Sequence, residues 1–326
     1  MSQGKTIEEC DFADKLVSDF KSAKPFWIFM IFVTFTISNI SRALRWKMLI
    51  KPLGREARLV NIFLCTVIGY FTNLFLPRAG EVIKAGILSK YENIPVEKVM
   101  GTVVLDRLLD VISILLVSVL ALMVEYDKIW GYFGAPMKAF FGRFGWQTLL
   151  IISGLFIGGI LLLYFFRSRF AETGFYKKVS KIALGFKEGI LSIAKLDNVP
   201  VFVLHSILIW VMYFMMVYVS FFAFEPTEHL PPVAALIAFV FAAWGIVVPS
   251  PGGMGSYHYL TIVALGMYGI SEFDAASFSN ISFCTIQLAT NISFGLLGFA
   301  IIGYLNRNYK PNDLVENAEP YQSKNI

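Results

Sequence analysis

A chain of 326 residues in which 56% of positions are hydrophobic and 16% charged, with a mean hydropathy of +0.65, reads as an integral membrane protein before any motif is considered. Its formal net charge of +5 would direct a soluble chain toward nucleic acid. Here Lys and Arg cluster beside apolar runs, where they act as topology signals and contacts to anionic lipid, so no nucleic-acid partner is expected.

Crossing about 30 Å of hydrocarbon takes about 20 apolar residues. Ahead of the first such window, residues 11–21 place Phe12, Leu16 and Phe20 four apart. That is the pattern of a short helix lying on the membrane, so residues 1–24 are expected to form a surface amphipathic segment. Candidate membrane windows then centre on residues 26–41, 59–76, 103–124, 148–166, 199–224, 231–248, 256–270 and 279–305. Three cysteines, Cys10, Cys65 and Cys284, form no CxxC pair, and no His stands at metal-ligand spacing, so no disulfide, metal site or cofactor is expected.

Two basic stretches separate these windows. Residues 42–58 carry Arg42, Arg45, Lys47, Lys51, Arg55 and Arg58 against Glu56 alone, and residues 167–195 carry Arg167, Arg169, Lys177, Lys178, Lys181, Lys187 and Lys195 against Glu172 and Glu188. Both are expected in the cytoplasm. The segment before each must then run inward, which leaves one crossing too many between them. The 59–76 run ends in Pro77-Arg78 and is followed by Lys84, Lys90 and Lys98, so residues 59–88 read as a re-entrant helical hairpin opening to the cytoplasm. Residues 176–196 set Val179, Ile182, Ala183, Phe186, Ile190 and Ile193 opposite Lys178, Lys181 and Lys195, which predicts a helix resting on anionic lipid.

Beyond it, 199–224 leaves the cytoplasm, and its connector holds Glu225, Glu228 and His229 with no Lys or Arg. No Asp, Glu, Lys or Arg occurs from Leu230 to Ser271, and the next connector carries Glu272 and Asp274. Both ends of this unit therefore face outward around a turn at Pro249-Ser250-Pro251-Gly252-Gly253-Met254-Gly255, which makes a second hairpin entering from the opposite face. The 279–305 span returns to the cytoplasm, where Arg307 and Lys310 open a polar tail over residues 306–326. The predicted fold class is all-α: a polytopic integral membrane protein of about six spanning helices plus two broken or re-entrant helical hairpins, with its membrane domain over residues 25–305. Opposed hairpins suit an inverted repeat, although no residue-by-residue repeat is visible. In this orientation residues 1–24 lie outside with no signal peptide before them, as expected if a further transmembrane helix precedes Met1; the alternative is the reverse orientation.

The two interruptions point to function. An unpaired backbone group in hydrocarbon costs several kcal/mol, so a break at membrane depth persists only where it is buried in protein or lines a watery cavity. Paired breaks in the two halves of a membrane protein mark a translocation site built from discontinuous helices. Asn73, Arg78 and Glu81 flank Pro77. N–H groups freed at a helix start favour an anion there, and charges at such a break are costly unless they face a cavity. Arg42 and Arg45, three apart with Trp46 beside them, read either as guanidinium clamps for a phosphate or as interfacial anchors. Asp106 and Asp110 share a helical face and Arg107 can pair with Asp110; they are either an intramembrane ion-paired site or interfacial charges ahead of a helix that begins at Leu108. Gly252, Gly253 and Gly255 either admit close approach of a ligand or form a tight turn between spans. His258 either titrates or hydrogen-bonds a head group, or is a packing residue, and His205 has the weaker claim. The Asn280-Ile281-Ser282 and Asn291-Ile292-Ser293 sequons lie at or within an apolar span and are read as chance.

Four segments, in order, carry a resemblance: Ser41-Arg42-Ala43-Leu44-Arg45-Trp46-Lys47-Met48-Leu49, Gly69-Tyr70-Phe71-Thr72-Asn73-Leu74-Phe75-Leu76-Pro77-Arg78-Ala79-Gly80-Glu81, Thr102-Val103-Val104-Leu105-Asp106-Arg107-Leu108-Leu109-Asp110, and Pro249 through Gly255. Over roughly residues 24–307 the chain resembles the lysylphosphatidylglycerol synthase transmembrane family, the flippase-like membrane domain found alone or fused to a soluble aminoacyl transferase. Members usually begin with one more membrane helix, in line with the expected upstream span. Many carry a Glu a few residues after the Pro-Gly-Gly turn, where this chain has Tyr257-His258.

With no aminoacyl transferase domain in the 326 residues, the resemblance implies lipid translocation rather than lipid synthesis. The expectation is a multi-pass plasma-membrane protein that moves a lipid with a charged or glycosylated head group, preferably anionic, between leaflets. The expected substrate-binding set is Arg42, Arg45, Asn73, Pro77, Arg78, Glu81, Asp106, Arg107, Asp110, Pro249, Pro251, Gly252, Gly253, Gly255 and His258, with no catalytic residue. The alternatives are a membrane enzyme using Glu81, Asp106 or Asp110 as acid or base on a lipid-linked substrate, and a non-transporting subunit of an envelope-biosynthesis complex. No nucleotide-binding loop is present, so energy would come from an ion gradient, a partner or downhill flow.

Overall fold

In the computed structural model, described for residues 18–132, 134, 154, 158, 196–248 and 250–307, every regular element is helical. Helix α1 (Pro25–Ile50) starts with Pro25 at its first position behind an extended Lys24, where a missing N–H costs nothing. It is followed by α2 (Leu59–Phe75), α3 (Ala79–Glu92) and α4 (Val96–Val124), and after the undescribed stretch by α5 (Val199–Phe221), α6 (Pro232–Val247) and α7 (Ser256–Gly266). Helices α8 (Glu272–Ser282) and α9 (Thr290–Leu305) are joined by a π-helical turn, Phe283–Ala289.

Among the described residues, Pro25–Leu53, Val96–Val124, Val199–Phe221 and Glu272–Leu305 are long and apolar enough to cross a membrane. Helices α2, α3, α6 and α7 have 17, 14, 16 and 11 residues. At 1.5 Å per residue they rise only about 16 to 26 Å each, short of the roughly 30 Å of hydrocarbon. They are the arms of two hairpins, α2 packed on α3 and α6 on α7. In the first, Gly69 and Gly80 bring the two backbones together; a methyl on Gly80 would lie 2.0 Å from the Gly69 carbonyl oxygen. In the second, Gly245 packs on Tyr257 and the Ser256 hydroxyl donates to the Gly245 carbonyl at 2.6 Å.

The breaks satisfy much of their own backbone, as a low-dielectric setting demands. Leu76 N–H donates to Thr72 O at 3.0 Å, and the Asn73 side-chain oxygen accepts from Gly80 N–H at 2.8 Å. Gly253 and Met254 N–H donate to Ser250 O and Pro251 O.

The bases of the two hairpins lie at opposite ends of the bundle. At one end Arg58 pairs with Glu92 at 3.1 Å and with Asn306 at the close of α9, and Lys51 after α1 pairs with Asp197 before α5. At the other end Lys24 before α1 pairs with Glu228 after α5, and Lys128 lies 4.1 Å from the Tyr268 ring after α7. The tips meet between them: a methyl on Gly252, whose φ is 60°, would sit 3.2 Å from Leu74 Cδ2.

Three sequence boundaries move. Helix α1 runs on to Ile50, so Arg42 and Arg45 are buried in the bundle rather than lying in a cytoplasmic connector, because carboxylates of α4 neutralise them there. Helix α4 starts at Val96, so Asp106, Arg107 and Asp110 stand ten to fourteen residues inside it and not ahead of it. The last helix begins at Glu272 and not at residue 279; Ser271 caps it by accepting from Asp274 N–H at 3.2 Å. The 148–166 window apart from residues 154 and 158, the 167–195 basic stretch, residues 1–17 of the surface segment, Pro249 and residues 308–326 of the tail lie outside the described residues.

Candidate functional site

Helical spacing puts Arg42 and Arg45 one turn apart on α1, and Asp106 and Asp110 one turn apart on α4, so that the two faces interlock. Arg42 Nη1 contacts Asp106 Oδ2 at 2.8 Å and Asp110 Oδ2 at 2.9 Å, while its Nη2 donates to the Tyr213 hydroxyl at 3.1 Å. Arg45 Nη2 reaches Asp110 Oδ1 at 2.8 Å, and its Nε donates to Asp106 Oδ1 at 3.1 Å. Arg42, Arg45 and Asp106 are 2%, 0% and 1% exposed.

Arg107 extends this network to the first hairpin. Its guanidinium lies 3.4 Å from Asp106, 3.5 Å from Asp110 and 3.9 Å from Glu81 Oε1 at the start of α3. Glu81 also accepts from Asn73 Nδ2 at 3.3 Å across the break. Buried charges persist only when paired and hydrogen-bonded, because removing one partner leaves the other uncompensated. The cluster is thus a lock among α1, α4 and the hairpin.

A cavity of about 710 Å³ opens beside this lock, within the size range of small-molecule sites. One end is polar, lined by Arg42, Tyr70, Asn73, Arg78, Glu81, Arg107, Asp110 and Tyr213. The walls beyond are apolar, formed among others by Phe35, Ile114, Trp210, Met216, Phe239, Ile246 and Val247. Gly252 and Gly253 of the second break close it, with Gln287 and Asn291 from the π turn and the start of α9. Arg78 is exposed and makes no hydrogen bond or ion pair with the described residues. It holds φ at 67°, a left-handed conformation that costs a non-glycine residue about 1–2 kcal/mol.

Of the residues singled out in the sequence, Arg42, Asn73, Pro77, Arg78, Glu81, Arg107, Asp110, Gly252 and Gly253 line this cavity. Arg45 and Asp106 stand behind it and hold the liners in place. Pro251 and Gly255 shape the second turn without lining the cavity. His258 accepts at Nδ1 from Gly255 N–H at 3.4 Å with its ring 4.6 Å from Phe283, so it caps α7 and packs. His205 Nδ1 lies 2.9 Å from the Ser41 hydroxyl, away from the cavity lining.

The sequence reading gave no site role to Tyr70, Tyr213, Gln287 or Lys84, and took Lys84 only as a topology signal. The tyrosines lie 3.4 Å apart hydroxyl to hydroxyl beside Arg42. Lys84 is buried with its ammonium 4.7 Å from the Trp46 ring, a cation–π contact in place of a carboxylate. A lone Gln inside an apolar span was the one local signal available for Gln287.

The chain matches the family model described as the lysylphosphatidylglycerol synthase TM region over residues 12–305. It is similar to a UPF0104 membrane protein of Methanocaldococcus jannaschii, 35% identical over 100 residues, a stretch that spans 30% of each chain. It is also similar to a UPF0104 membrane protein of Methanothermobacter thermautotrophicus, 26% identical over 283 residues, which cover 79% of this chain and 80% of the relative. No solved structure matches the chain.

Proposed function

As the chain belongs to the lysylphosphatidylglycerol synthase TM region family of multi-pass membrane proteins, we propose that it is a lipid translocase, moving a lipid with an anionic head group between the leaflets of the plasma membrane. The observation that carries this reading is the cavity at the meeting point of two hairpins whose bases face opposite ends of the bundle. Its polar end, with Arg78 unpaired among the described residues beside a balanced ion-pair lock, suits a phosphate. Its apolar walls suit acyl chains, so the head group would pass while the tails stay in hydrocarbon. Helix dipoles at the two breaks add partial charges along the same path. Energy would come from a gradient, a partner in envelope biosynthesis or downhill flow.

The test is leaflet exchange of fluorescent anionic, cationic and polyprenyl-phosphate lipids in proteoliposomes, with wild type, Arg78→Ala and Glu81→Ala. Anionic lipid is expected to exchange in wild type and to lose exchange in Arg78→Ala while the protein stays folded. Exchange that survives Arg78→Ala sinks the assigned role. Turnover of a lipid in detergent, where there are no leaflets, would instead establish an enzyme acting through Glu81, Asp106 or Asp110.

A further inference from the structure

The walls of the cavity differ in chemistry. Its charged side chains, Arg42, Arg78, Glu81, Arg107 and Asp110, all come from α1, the first hairpin and α4. The polar side chains facing them from the π turn and the start of α9 are neutral: Gln287 and Asn291. The π turn inserts an extra residue per turn and interrupts the regular ladder, a distortion that recurs at functional sites. Phe283 in the same turn comes near Gly252, which places the turn beside the hairpin tips.

Gln287 is partly buried, and its side-chain amide hydrogen-bonds to none of the described residues. Four residues on, Asn291 is 7% exposed; its Nδ2 donates to the Gln287 carbonyl at 2.7 Å, and its Oδ1 is buried without a donor. Only nitrogen can face that carbonyl, so the orientation of the Asn291 amide is fixed. The buried Asn291 Oδ1 lacks a donor, which is costly, and the Gln287 amide borders the cavity with its donors and acceptor open to a ligand. A phosphate would be served poorly here, since it needs donors and charge. A hydroxyl both donates and accepts, and so does a primary amide.

We propose that Gln287, backed by Asn291, is a hydroxyl-reading subsite of the cavity. Resting on the translocase reading above, the cargo is then a lipid whose head group joins a phosphodiester, held at the Arg78 end, to free hydroxyls on glycerol or a sugar.

The experiment compares leaflet exchange of fluorescent phosphatidylglycerol with that of phosphatidylmethanol, which has the same phosphodiester charge and no head-group hydroxyl. Wild-type protein in proteoliposomes is expected to move phosphatidylglycerol about five- to tenfold faster, the worth of one neutral hydrogen bond. Gln287→Leu is expected to move both lipids at the slower rate. Gln287→Met, closer in shape, repeats the test should the leucine variant fail to fold, and the wild-type preference needs no variant at all. Equal rates in wild type, or a preference that persists in both variants, overturns the subsite and leaves the translocase reading standing. No exchange of either lipid by folded wild type overturns both. Fluorescent phosphatidylglucoside, which joins the same phosphodiester to a sugar, separates the two hydroxyl sources: exchange that depends on Gln287 identifies a sugar, and its absence beside a phosphatidylglycerol preference identifies phosphoglycerol.

Discussion

At the scale of single residues, the ion-pair lock and the turn arginine make opposite kinds of demand. Asp106 answers Arg42 and Arg45 in full burial. Asp106→Ala should therefore lower stability by about 3–5 kcal/mol, as removal of one partner of a buried pair does. Thermal melting in detergent checks this, and an unchanged midpoint would show that the pairing contributes nothing net. Arg78 is the reverse case, a side chain kept in a left-handed turn that glycine would adopt freely. Arg78→Gly should hold or raise the melting temperature while abolishing lipid exchange; a fall in stability would show that the guanidinium braces the turn. That Arg42, Asp106 and Asp110 are candidate site residues was legible in the sequence; that they stand inside the bundle was not, since Arg42 read as part of a cytoplasmic stretch and the two aspartates read equally as interfacial. Which of them pair was not legible either, because Arg42 and Asp106 lie 64 residues apart and only the packing of α1 on α4 selects the match. Gln287 went unread although it is a lone Gln inside an apolar span, because nothing in the composition marks the π turn that sets it against the hairpin tips.

At the scale of elements, each hairpin depends on contact between backbones. Gly80→Ala would force a methyl into the Gly69 carbonyl, with no flexible side chain to yield, and should splay α2 from α3 and cost several kcal/mol of stability, on the order of a severe overpacking substitution. Gly86→Ala on the same helix meets nothing within 4 Å and should melt at or above the wild-type temperature. Equal melting of the two variants would mean that the hairpin tolerates separation. Both hairpins were visible in the sequence because proline and glycine clustered inside an apolar run prevent a helix from continuing through it. Helix ends were less visible. A hydropathy window stops at the first charges, whereas a helix continues through them once their partners are supplied, as at Arg42, or once a Ser caps an acidic first turn, as at Ser271.

At the scale of the whole molecule, the protein buries charged and polar side chains within its core and exposes long apolar faces. Ser38, Asn39, Arg45, Thr102 and Asp106 are buried, while Val111, Ile112, Leu115, Leu116 and Val119 of α4 are exposed. That arrangement costs free energy in water and suits hydrocarbon. Opposed hairpin bases predict a sidedness that cysteine labelling can read. In a variant lacking Cys10, Cys65 and Cys284, Lys90→Cys and Glu272→Cys should react with an impermeant thiol reagent from opposite sides of oriented vesicles. Labelling of both from one side would refute the inverted entry. The lock has a consequence for bioenergetics: Arg42, Arg45 and Arg107 are cancelled by Asp106, Asp110 and Glu81, so the ion-paired cluster carries no net charge of its own to offset that of the cargo. A monoanionic lipid would then cross the field with its whole charge. A 100 mV potassium diffusion potential should shift its steady-state distribution between leaflets by up to about fiftyfold, the equivalent of about 2.3 kcal/mol, and leave a zwitterionic lipid unmoved. Membrane voltage alone would thus be enough to give such transport a direction.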